Sequence, residues 1–173
     1  MFDRQNLNEF WDHFRQVHGI TLRTIALLPA DKLDSRPIQK MRTPKELIAH
    51  LYGTVVRAIP EGVVRGEIEP EDDPAIVARM KTKDDLVRFV NESWSAADKA
   101  AGAITDAHLR ATVKTPWGAD MAGFMCMGVV IDEYFHHRGQ LYAYVRQLGG
   151  EPPMMWDFEH NAAAYQPKSP QTA

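Results

Sequence analysis

Apolar residues recur three and four positions apart in the first part of the chain: Leu7, Phe10, Trp11, Phe14, Val17, Thr21, Leu22, Ile25 and Leu28. That spacing puts them on one face of a helix, which must end before Pro29. The stretch PADKLDSRPIQKMR is polar and interrupted twice by proline, so it reads as a connection. A second helix opens where Thr43 can cap, Pro44 fits the first helical position and Glu46 completes a Thr-x-x-Glu capping box. Leu47, His50, Leu51, Thr54, Val55 and Ala58 then share a face, with Pro60 expected to kink the last turns and Gly62 and Gly66 to loosen them. GEIEPEDDPA reads as an acidic connector. Thr82-x-x-Asp85 caps a third helix with the stripe Leu86, Phe89, Val90, Ser93, Trp94 and Ala97. After a polar link containing Trp117 and Gly118, the fourth helix is expected from about Met121 to Leu148, where Gly149 and Gly150 stop it. No segment alternates with the period of a strand. Four amphipathic helices joined by polar connections predict an all-α four-helix bundle. We expect a single domain over residues 1–173, with about 160–173 forming a frayed tail.

Composition narrows the function classes. With 20 basic and 23 acidic residues and no charged block, the chain lacks the basic stripe that grips a phosphate backbone, so nucleic acid is not expected as a partner. No apolar run approaches the ~20 residues of a membrane helix, and MFDRQNLNEF has no apolar stretch of signal-peptide length. The single cysteine, Cys126, cannot form an intramolecular disulfide and is expected to be a small buried side chain. These features together predict a cytoplasmic protein.

The chemistry concentrates in the fourth helix, in Asp132-Glu133-Tyr134-Phe135-His136-His137-Arg138-Gly139-Gln140. Glu133 and His137 lie one turn apart on the same face and can share an ion, with His50 as a third ligand from the second helix. Two imidazoles and a carboxylate, with positions left for water, suit zinc, nickel or iron. Spacing alone leaves a structural polar cluster as the alternative, with His50 a hydrogen-bonded core histidine. Glu133-x-x-His136 also matches half of a di-iron bundle signature, but the second motif such a site needs is missing. Gln140 is placed either to hydrogen-bond a ligating histidine or to be solvated at the surface. Arg138 is expected to pair with a carboxylate, His136 to line the pocket or face a neighbouring helix, and Trp117 to shape a pocket or serve packing or surface.

Three segments carry a family resemblance. HHRGQLYAYVRQLGGEPP (136–153), LPADKLDSRP (28–37) and PKELIAHL (44–51) resemble, in order, hallmarks of the DinB/YfiT-like family of metal-dependent helical bundles. The resemblance implies a bundle with one divalent metal ion, zinc or nickel first and iron or manganese as alternatives. It puts metal ligands at His50 and His137. The middle ligand, usually histidine in that family, falls on Glu133. It further implies a homodimer, for which the aromatics around Trp156 and Phe158 offer a covering patch. The expected partner is a small-molecule substrate and the expected activity a thiol-dependent transferase or isomerase working with a low-molecular-weight thiol. A metal-dependent hydrolase and a non-catalytic stress-response binding protein are the alternatives. No catalytic residue beyond the ligands is singled out.

Overall fold

The computed structural model describes residues 2–69, 71 and 73–166. Four long helical rods make the bundle. The first is α1 (Arg4–Ala26), started by an Asp3 cap that accepts from the Asn6 amide. The second begins as α2 (Pro44–Ala49), where the Thr43 amide donates to Glu46 at 2.7 Å and the Glu46 amide to Thr43 Oγ1 at 3.1 Å. The third is α5 (Lys83–Ala103), capped reciprocally by Thr82 and Asp85, and the fourth is α7 (Gly123–Gln147). Left-handed Gly149, with the Gly150 amide donating to the Val145 carbonyl, stops α7 as expected.

Between these rods lie elements that periodicity did not announce. The second rod does not continue as an α-helix: His50–Arg57 is a π-helix, and the Ala58 amide donates five residues back to Gly53 before α3 (Ala58–Arg65) resumes. Pro60 supplies a reason, since its ring would collide with the Val56 carbonyl in a regular helix and a wider turn relieves that. The acidic connector contains α4 (Asp73–Arg79), and the polar link contains α6 (Asp106–Arg110) and a small hairpin. Its strands β1 (Thr112–Val113) and β2 (Met121–Ala122) are antiparallel. The amides of Ile68 and Lys114 tie the stem to the end of α3, donating to the Lys114 and Gly66 carbonyls respectively.

The core runs the length of the bundle, through Leu7, Phe14, Leu47, Leu51, Val90, Val130, Tyr134 and Leu141. Trp94 of α5 is gripped by α1, stacking on Trp11 at 5.6 Å and on His18 at 4.0 Å. Cys126 is a free, buried thiol. His18 is fully buried and shares a 2.9 Å hydrogen bond between its Nδ1 and the Tyr52 hydroxyl of the π segment. Burial first, and then the Arg15 charge against the opposing Asp98, push its pKa down to about 3.

The start of the tail lies along α1: Arg23 donates to Asp157 at 2.8 Å, Asn161 to the Gln16 carbonyl at 2.8 Å, and Phe158 meets the His13 ring. Phe158 therefore covers a face of its own chain, while Trp156 stays exposed. Residues 167–173 of the expected tail lie outside the described residues.

Packing at two glycines of α7 predicts opposite effects. A Cβ on Gly123 would strike the His108 carbonyl oxygen, whereas one on Gly128 meets nothing within 4 Å. In urea denaturation, Gly123→Ala should cost about 1–3 kcal/mol, and Gly128→Ala should gain about 0.5–1 kcal/mol. His18 sets a pH dependence. Its folded pKa lies below the ordinary 6.5, so its contribution is complete above that value and is lost as pH falls toward about 3. Between those limits the parent's unfolding free energy should fall more steeply than that of His18→Gln, by about 1.4 kcal/mol per pH unit.

Candidate metal centre

The π segment and α7 face each other, and their contact brings the three expected residues together. One ligand atom from each of His50, Glu133 and His137 lies within 4.8 Å of the others. The His50 and His137 rings meet edge to face, with centroids 5.0 Å apart. His137 is nearly buried at 4% exposure, while Glu133, on the outer side, keeps 45% of its side chain exposed and has room to adjust.

Hydrogen bonds decide which nitrogen each histidine offers. His50 Nδ1 donates to Asp73 Oδ2 at 2.9 Å, and the Thr54 hydroxyl donates to the other oxygen, Oδ1, at 2.8 Å. Asp73 thus holds the ring and leaves Nε2 with its lone pair, as carboxylate partners of metal-binding histidines do. Burial alone would raise the Asp73 pKa. The His50 and Thr54 hydrogen bonds, with the His50 and Arg42 charges, overcome that and hold it below the ordinary carboxylate value. On α7, Gln140 receives the His137 Nδ1 proton on Oε1 at 3.1 Å and gives its amide to His136 Nε2 at 2.9 Å.

With its Nδ1 proton given to Gln140, His137 Nε2 is a buried nitrogen that no hydrogen bond satisfies. The nearest polar atom is Glu133 Oε2 at 3.2 Å, and a carboxylate is also an acceptor. A cation between two acceptors this close would relieve their repulsion. A proton on His137 is one solution, but burial, with the His50 and His136 charges, outweighs Gln140 and Glu133 and lowers that pKa. A divalent ion is the other, and this donor set of two imidazoles and a carboxylate fits one.

A cleft of about 350 Å³ leads to the site, lined by His50, Thr54, Val55, Ile59, Trp117, Val129 and Glu133. Two of the side chains built into this region escaped sequence reasoning in this role. Asp73 sits in a segment read as a connector, although Asp73-Pro74 is a helix-opening signal. Thr54 read as an ordinary apolar-face position. Trp117, read as a pocket residue or as packing or surface, lines the cleft. Arg138 pairs with no carboxylate among the described residues: it stacks over Phe135 at 4.9 Å and Tyr142 at 5.6 Å. His136 stays outside the cluster and exposed. Among the described residues, one other set has ligand-like spacing, Asp157, Glu159 and His160. It lies in the tail, where Asp157 also pairs with the Arg23 guanidinium at 2.8 Å.

Comparison with known proteins agrees with this architecture. No curated protein matches the chain. Among solved structures, the DinB-like protein YjoA from Bacillus subtilis superposes with a TM-score of 0.67 over 83% of this chain and 94% of its own, at 18% identity, a likeness of fold. No helix among the described residues is long and apolar enough to cross a membrane. The DinB family model matches residues 1–169, nearly the whole length, and the chain belongs to the DinB family.

Proposed function

We propose that the chain is a metal-dependent enzyme that binds one divalent ion, zinc or nickel, through His50, Glu133 and His137 and uses it to activate a thiol. The observation that carries this reading is the pair of facing acceptors, His137 Nε2 and Glu133 Oε2, in a buried position where His137 resists protonation. Bound there, the ion would act as a Lewis acid that lowers the pKa of a thiol or a water near neutral pH.

The chain's own residues divide the remaining work. Asp73 and Gln140 hold the two imidazoles in the tautomers that present Nε2. Glu133 brings one negative charge where a third histidine would bring none, and its half-exposed side chain lines the cleft. Thr54 is committed to Asp73, so among the described residues no free hydroxyl nucleophile lines the cleft. Transfer of a thiol to an electrophile fits this better than a nucleophile–histidine–acid mechanism, because the nucleophile then arrives with the substrate.

Calorimetric titration of the metal-free protein with zinc and nickel tests the centre. His50→Ala and His137→Ala should abolish tight binding, and Glu133→Gln should weaken it. Glu133→His should keep binding but shift preference between the metals. Asp73→Asn should cost about 10–100-fold in affinity, while Asp132→Asn, about 100° round the helix, should cost little. Equal affinity in the parent and Glu133→Gln would remove Glu133 from the site. For the activity, metal-loaded protein should turn over a thiol with at least one electrophile in a broad panel. Complete inertness would favour a non-catalytic binding protein, and turnover of esters or amides without thiol would favour a hydrolase.

A further inference from the structure

The cleft beside the candidate centre has two chemically different ends. His50 and Glu133 stand at one end. The rest is Val55 and Ile59, one turn apart across the junction of the π segment and α3, Val129 one turn before Glu133 on α7, and Trp117 at the rim. The one other lining group with a polar side chain, Thr54, already donates its proton to Asp73. Among the described residues no lysine or arginine lines the cleft, so an anionic group on a ligand's body would find no counter-charge there.

Trp117 is held at that rim by its turn. The Thr115 hydroxyl donates to the Ala119 carbonyl at 2.7 Å and accepts from the Trp117 amide, and Gly118 takes a φ of 81°, a conformation other residues adopt only under strain. The indole is presented with 44% of its surface exposed, a flat apolar face with one N–H at its edge.

Resting on the metal-centre reading above, we infer that this cleft is a specificity subsite for an uncharged aryl or branched-alkyl group, carried by a ligand whose single anionic donor reaches the ion. Trp117 is its specificity-determining residue, stacking on the group against Val55, Ile59 and Val129. The volume of about 350 Å³ lies at the small end of ligand pockets, the size for one ring and its donor rather than an extended polar conjugate.

Hydroxamates separate the two ends, because acetohydroxamate and benzohydroxamate share a metal-binding head and differ in the body. Binding of each to zinc-loaded full-length protein is measured by calorimetry, and zinc affinity is measured in parallel. The parent should bind benzohydroxamate more tightly than acetohydroxamate by about tenfold or more. Trp117→Ala should bring the two within about threefold of each other, Trp117→Phe should restore most of the preference, and zinc affinity should be unchanged in both. Indole emission should respond to benzohydroxamate in the parent and lose that response in Trp117→Phe. A parent that holds zinc but binds the two alike, or a preference that survives Trp117→Ala, would overturn the subsite and leave the metal centre standing. Failure of the parent to hold zinc would overturn the metal centre, and the subsite with it.

Discussion

Two hydrogen-bond acceptors, a buried imidazole nitrogen and a carboxylate oxygen, face each other at 3.2 Å between the second and fourth rods. Lone pairs so placed repel in a medium that screens them poorly, and a cation between them would relieve that repulsion. The surroundings are built to hold that arrangement. Gln140 draws the proton to the far side of His137, Asp73 does the same for His50, and burial discourages protonation of His137. Without those partners the histidines could turn their protons toward Glu133, and the pair would become an ordinary salt link.

The fold supplies this geometry through irregular elements laid on a regular bundle. The π-helix widens the second rod at His50, where a strict α-helix would carry on unchanged toward Pro60. It also makes room for α4: Ile76 packs directly over Gly53, where a Cβ would come within 2.8 Å of its methyl group. That contact seats α4 so that Asp73 reaches His50 and Thr54. On the inner side the Tyr52 hydroxyl is fixed by His18, which is itself stacked on Trp94, so the turn that carries His50 is anchored to α1 and α5. On the proposed reading, a glutamate in the middle ligand position leaves a divalent centre with one unit of positive charge. Such a centre favours a ligand with one anionic donor, and the apolar cleft fits an uncharged remainder.

The sequence made the rods legible because each announces itself twice, by apolar periodicity and by a cap. Thr43 with Glu46, Thr82 with Asp85, and Gly149 with Gly150 all act as read. It also made His50, Glu133 and His137 legible as neighbours, since one turn of helix relates two of them and an apolar-face position marks the third. What stayed hidden is short or relational. Strands of two residues cannot show a period, and α4 is a seven-residue helix inside an acidic stretch that composition alone marks as a connection. Asp73 and His50 are joined only in space. A π turn has no residue signature beyond the downstream proline, and Arg138 found aromatic rings where a carboxylate was expected because Phe135 and Tyr142 flank it on its own helix.

Anomalous diffraction at the zinc edge, from crystals of the zinc-loaded protein, addresses the central claim most directly. The account predicts one strong peak, within coordination distance of His50 Nε2, His137 Nε2 and a Glu133 carboxylate oxygen. A peak found only at Asp157 and His160 in the tail, or none between the π segment and α7, would contradict it.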